Sequence, residues 1–184
     1  GLFISRDKRY GISFGADGLL QRFGLEDFHD IEPLNSQTVR CIAPMEAGDA
    51  VCAAGADGTL RMVRVEPFVV VSEQAVHGET ISAAACAQRA NTAMSISDDR
   101  VLCLTELADG GAVRQLGGVP AYTRGVAMHA DAGLAVTADD DGRVRLWELP
   151  SMRCLYTGAR QQHAYTSLAA TPSLERLVTG DAGG

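Results

Sequence analysis

The chain has 184 residues, of which 46% are hydrophobic and 21% charged, and a formal charge of −7. That hydrophobic share excludes intrinsic disorder, and a chain of this length buries roughly 70% of the surface its unfolded form exposes, enough for a substantial core. No apolar run approaches the ~20 residues of a membrane helix, and the acidic balance argues against a general phosphate-binding surface.

From the N-terminus, GLFISRDKRYG shows no apolar core behind a basic start, so no secretory signal is read there. A strand is predicted at Leu2–Ser5, followed by a hairpin, GISFGADGLLQRFGLED, around Asp17-Gly18. Three further hairpins follow: VCAAGADGTLRMVRVEP around Asp57-Gly58, AMSISDDRVLCLTELAD around Asp99-Arg100, and AVTADDDGRVRLWELPS around Asp141-Gly142. A fifth opens at LVTGDAGG. Strands predicted ahead of the hairpins are Thr38–Ala43, Thr80–Ala85, Thr123–Met128 and Tyr165–Ala170; those predicted behind them are Phe68–Ser72, Ala112–Leu116 and Met152–Thr157.

These segments are copies of one unit. Asp17, Asp57, Asp99 and Asp141 are spaced by 40, 42 and 42 residues, and Gly183 stands 42 beyond Asp141. Asp-Gly between apolar runs is a strong hairpin signal, because glycine accepts the positive φ of a tight turn. Arg100 replaces that glycine, which predicts a turn of another type or a slightly strained one. Ile12, Cys52, Met94, Val136 and Val178 share one apolar column; Leu20, Leu60, Leu102 and Val144 share another. Polar residues such as Gln21, Arg61 and Arg145 alternate with them, the period-two pattern of a strand. No helix-period segment competes, so the chain reads as an all-β radial repeat of four-stranded antiparallel units.

LAVTADDDGRVRLWELP (Leu134–Pro150) resembles the central signature of the WD repeat, with Trp147-Glu148 standing where that family has Trp-Asp. Val76-His77-Gly-Glu-Thr-Ile81 resembles the family's Gly-His turn, and Ser5-Arg-Asp-Lys-Arg-Tyr10 its loop before the second strand. The resemblance implies a WD-repeat β-propeller, and the 40–42-residue period fits a blade. Blades are expected at about 1–35, 36–75, 76–118, 119–160 and 161–184 of a single partial propeller, four blades and half of a fifth. It further implies a pinning network of turn His, strand Ser or Thr, hairpin Asp and Trp. Here those positions are Ser13 and Asp17 in the first blade and Asp57 in the second. His77, Ser95 and Asp99 hold them in the third, with Thr105 in place of Trp; Thr137, Asp141 and Trp147 hold them in the fourth, with no histidine near Val119. These are expected to be structural positions.

Cys41, Cys52, Cys86, Cys103 and Cys154 show no CxxC pattern and read as small buried hydrophobes of a reducing intracellular compartment, cytoplasmic or nuclear. The four isolated histidines give no metal spacing, and Asp139-Asp140-Asp141 lacks the further oxygens of a calcium loop. There is no G-x-S-x-G, and the glycine-rich spots at Gly110-Gly111 and Gly180–Gly184 precede no helix. No catalytic, cofactor or metal residue is therefore assigned, and the expectation is a non-enzyme. Fifteen of the sixteen basic residues are arginine; Arg61, Arg64, Arg143 and Arg145 support an interaction surface only weakly, against coding bias as the plainer explanation.

A propeller closes as a complete ring. Four and a half blades do not close, which predicts further blades in a longer chain or completion by another chain. The expected function is a scaffold binding proteins or peptides, not nucleic acid or membrane, through the loop faces Asp27–Gln37, Glu66–Glu79, Ala108–Tyr122 and Thr157–Ala164. The alternative is a regulatory or targeting propeller of a larger multidomain protein or enzyme whose catalytic part lies elsewhere.

Overall fold

In the computed structural model of the protein, the described residues are 1–5, 7–15, 17, 19–26, 32–35 (backbone), 39–45, 49–87, 90–107, 111–129, 131, 133–149 and 151–183. They form eighteen strands in five antiparallel sheets, with no helix among them. The first sheet contains β1 (Leu2–Ile4), β2 (Tyr10–Phe14), β3 (Leu19–Gly24) and β4 (Glu32–Asn35). The second contains β5 (Val39–Pro44), β6 (Ala50–Gly55), β7 (Thr59–Arg64) and β8 (Val69–Ala75). The third contains β9 (Ile81–Ala87), β10 (Thr92–Ser97), β11 (Leu102–Glu106) and β12 (Val113–Leu116). The fourth contains β13 (Thr123–Met128), β14 (Leu134–Asp139), β15 (Val144–Glu148) and β16 (Arg153–Thr157); the fifth contains only β17 (Tyr165–Ala170) and β18 (Leu177–Asp181).

Each sheet is a meander whose first strand lies innermost. β5, β9, β13 and β17 pack side by side in that order, so the blades fan out from a common axis. A cleft of about 340 Å³ runs along these inner strands, lined among others by Ala43, Cys86, Met128 and Ala170. The sheets do not close, and the structure is an incomplete propeller.

Blade faces meet in apolar seams, because β6, β10 and β14, the second strands of the middle sheets, are buried on both sides. The face of one blade that carries Ile12, Cys52 or Met94 packs on the opposite face of the next. Ile12 and Leu20 meet Val39, Val51 and Val63. Cys52 and Leu60 meet Ile81, Ala93 and Cys103; Met94, Ile96 and Leu102 meet Ala135, Trp147 and Leu149. Burying each such large side chain contributes about 1.5–3 kcal/mol, so the seams are the main source of stability. At the fourth seam the inner strands come close enough to require glycine: a Cβ on Gly125 would lie 2.5 Å from the Leu168 Cβ and 2.7 Å from its backbone nitrogen.

The inner strands also carry a repeated irregularity. Arg40, Ser82, Arg124 and Thr166 are skipped in the pairing of β5, β9, β13 and β17, one such bulge in each of the second to fifth sheets at the same repeat position. Ser82 Oγ uses the bulge to reach the carbonyls of Ile96 at 3.2 Å and Thr123 at 3.1 Å, tying the third blade to the fourth.

Three hairpin turns share one form, with one correction to the expectation for Arg100. Gly58, Arg100 and Gly142 donate backbone bonds to Gly55, Ser97 and Asp139 at 3.3, 3.0 and 3.2 Å, so all three turns are of the same kind. Arg100 does not adopt another turn: it takes φ +59° where Gly58 and Gly142 take +75° and +74°, and accepts the strain of that region instead. The other two turn glycines, Gly18 and Gly184, lie outside the described residues.

Candidate functional site

Chemistry-bearing side chains gather where each hairpin meets the preceding blade. Asp57, Asp99 and Asp141 accept the backbone N–H two residues on, from Thr59, Val101 and Arg143, at 3.1, 2.8 and 3.1 Å. Asp17 does the same for Leu19 at 3.2 Å. A short side chain folded back on its own turn is the ordinary reason aspartate occupies this place.

In the fourth blade a two-residue period puts Thr137, Asp139, Arg145 and Trp147 on one face, turned to the third blade. Trp147 Nε1 donates to Thr137 Oγ1 at 3.1 Å, and Thr137 Oγ1 donates to Asp139 Oδ2 at 3.3 Å. Thr123 Oγ1 donates to the other oxygen of Asp139, and Arg145 pairs with Asp139 and, at 2.6 Å, with Asp141. Burial raises the Asp139 carboxyl above its ordinary value, against the hydrogen bonds from Thr123 and Arg145. Burial acts on Asp141 too, but there the Arg145 fork outweighs it and the carboxyl is lowered. The hub of this network is Asp139, which sequence reasoning missed by expecting Asp141 alone.

The third blade is built differently at the same place. His77, its ring fully buried, sits 2.9 Å from Ser95 Oγ through Nε2 and 3.8 Å from Asp99 Oδ2 through Nδ1. With the proton on Nδ1 facing Asp99, Nε2 accepts from Ser95. Burial lowers the His77 pKa, and the Asp99 charge only partly opposes it, so the ring is neutral at pH 7. Cys103 Sγ donates to the Val76 carbonyl at 3.3 Å, and burial pushes its thiol up to about 12. Thr105, where the fourth blade has Trp147, is buried with its hydroxyl unpartnered. Ser95, His77 and Asp99 thus stand in the order of a nucleophile triad, but Ser95 is wholly buried and a substrate could not reach it.

The second blade keeps an ionic version: Arg61 grips Asp57 at 2.5 Å and Glu73 at 3.2 Å, and its hydrogen bond holds the Asp57 carboxyl below the ordinary value. Both Arg61 and Arg145 are only 5% exposed, which corrects their reading as surface residues. Ser13 lies in β2 opposite Gln21 without joining such a network among the described contacts. The aspartate run splits three ways, Asp140 accepting from the Tyr122 N–H at 3.1 Å. Among the described residues no group of three His, Cys, Asp or Glu is placed to hold a metal ion. Of the cysteines, Cys154 is exposed, against the expectation of burial. In the loop faces, residues 27–31, 36–37 and 108–110 lie outside the described residues; Gly111 takes a 2.8 Å bond from Gln74 of the second blade.

This braced-hairpin repeat on a radial antiparallel fold defines a β-propeller. Residues 115–148 match the family model described as "WD domain, G-beta repeat". No curated protein matches the chain. Among solved structures, the crystal structure of the Myceliophteria thermophila Cps50 (Swd1) β-propeller domain aligns over 98% of this chain with a TM-score of 0.85 and 13% identity. The chain spans 62% of that domain's chain. The chain thus has the fold of a β-propeller left open, and within it residues 115–148 carry the likeness to the WD repeat.

Proposed function

We propose that the chain is a non-catalytic scaffold that binds proteins or peptides, and that its open fifth face accepts a further blade or an equivalent protein surface. One observation carries this reading. Ile12, Cys52, Met94 and Val136 are at most 4% exposed, whereas Val178 in the same column is 71% exposed. Four times in this molecule that position is covered by an apolar sheet face, so the fifth copy has the chemistry of an interface awaiting one. At the other end, Leu2 and Ile4 are exposed as well.

Hairpins braced by internal hydrogen bonds make a rigid frame, and the connecting loops of such a frame are where recognition falls. The free cysteines support an intracellular, cytoplasmic setting. A second reading, a regulatory or targeting module of a larger enzyme, rests on the same open face, since further chain would seat there. Affinity capture of the full-length product with mass spectrometry tests both. A stoichiometric protein partner lost on loop substitution supports the scaffold; a catalytic domain in the product's own sequence supports the module; no partner after stringent washing overturns the scaffold.

A further inference from the structure

The seam between the second and third blades places two thiols face to face. Cys52 lies on β6, on the side turned to the third blade, and Ala43 stands opposite it on β5. Cys86, on β9 of the next blade, points its Sγ at the Ala43 carbonyl at 3.8 Å, and its thiol neighbours that of Cys52 closely enough to help raise the Cys52 pKa. The repeat explains the meeting. Forty-two residues on, the same two positions are Met94 and Met128, and there the Met128 sulfur lies 3.1 Å from the Met94 nitrogen. The two columns therefore touch at consecutive seams, once where the Met94 N–H meets the Met128 thioether and once beside the two thiols. Access is asymmetric: Cys52 is fully buried, whereas Cys86 is half-buried and lines the axial cleft.

We propose that Cys86 and Cys52 form a peroxide-driven disulfide that locks the second blade to the third. The Cys86 thiolate attacks one oxygen of a hydroperoxide arriving through the cleft; the O–O bond breaks, the other oxygen leaves as water or alcohol, and Cys86 becomes a sulfenic acid. The Cys52 sulfur then attacks the Cys86 sulfur, the S–O bond breaks, and the departing hydroxide takes the Cys52 proton as water. Two thiols are oxidised by two electrons and one peroxide is reduced. The neighbouring Cys86 thiol and burial both hold the Cys52 proton in place, which makes Cys86 the attacking sulfur and Cys52 the resolving one. Cys41 is the competitor: it lies near Cys52 in the same seam, its thiol pushed up to about 12 by burial.

The test is hydrogen peroxide treatment of the whole chain, alkylation, and non-reducing peptide mapping. Arg40 and Arg61 bracket both Cys41 and Cys52, so the mapping is repeated in Cys41→Ser to separate them. The expected result is a 52–86 linked peptide that persists in Cys41→Ser and vanishes in Cys86→Ser. It should come with a melting midpoint raised by roughly 5–10 °C and restored by dithiothreitol. Full alkylation of both thiols after peroxide, a Cys86 sulfinic acid beside a free Cys52, or a linked peptide that disappears in Cys41→Ser would each overturn the proposal.

Discussion

Thr105 and Trp147 occupy the same place in consecutive blades, and they meet opposite fates. Trp147 fills the seam and donates to Thr137; Thr105 brings a hydroxyl into the seam and leaves it without a partner. An unpaired buried hydroxyl is destabilising, whereas an apolar group of the same shape is not. Thr105→Val should therefore leave stability unchanged or raise it by up to about 1 kcal/mol, while Trp147→Phe should lower it by about 1–2 kcal/mol. Urea midpoints of the two variants decide this, and a loss in Thr105→Val would reveal a partner for the hydroxyl. His77 makes a prediction of the same scale. Its folded pKa lies below the ordinary 6.5 because burial disfavours the charged ring. The unfolded chain therefore takes up a proton first as pH falls. Stability from this residue is complete above about pH 6.5 and declines below it, down to the folded pKa. Urea midpoints followed from pH 8 to 5 should fall less steeply in His77→Gln than in the parent; parallel curves would remove His77 from the acid sensitivity.

At the scale of the hairpin, the fourth blade buries both members of an ion pair, where the second pairs Arg61 with partly exposed carboxylates. Arg145 neutralises Asp139 in a place from which water is excluded, and its head is shared with Asp141. Removing one partner of a buried pair leaves an uncompensated charge, so Arg145→Met should destabilise by about 3–5 kcal/mol. Adding Asp139→Asn should recover a large part of that, and strictly additive losses in the double variant would mean that the pair is not coupled. The hairpins themselves were legible in the sequence because Asp-Gly turns, apolar columns and a 42-residue period all point the same way. Even Arg100 is half legible: its identity predicts strain, but not that the turn keeps its form. The Asp139 hub was less accessible, although Thr137, Asp139 and Arg145 share a face by strand alternation, because the family-like position of Asp141 draws attention first. The bulges at Arg40, Ser82, Arg124 and Thr166 leave no signal, since polar residues there fit regular alternation equally well. The Cys52–Cys86 meeting is invisible for another reason: it spans two blades, and only seam packing brings those columns together.

Across the whole molecule, seams set both stability and association. A blade in the middle is buried on two faces by its neighbours, and its second strand is dry along its length, as in β6 and β10. The fifth sheet has a neighbour on one side only, and β18 leaves Val178 open on the other, where earlier copies of that position are covered. Covering this side chain contributes about 1.5–3 kcal/mol, which favours self-association of the 184-residue chain as its concentration rises. Among the described residues no ion pair gives that face a fixed register, so the association should be heterogeneous rather than a defined dimer. Val178→Asp places a charge at the centre of that face, which a partner sheet would have to desolvate. Multi-angle light scattering should therefore show a concentration-dependent mass for the parent chain and a mass near 19.4 kDa for Val178→Asp. A parent chain that is already a monodisperse, cooperatively melting monomer would show that Val178 needs no cover, and the open face would cease to support an interface. Equal association of parent and variant would move the contact to the other open end, where Leu2 and Ile4 are exposed, and Leu2→Asp would then be the variant that separates the copies.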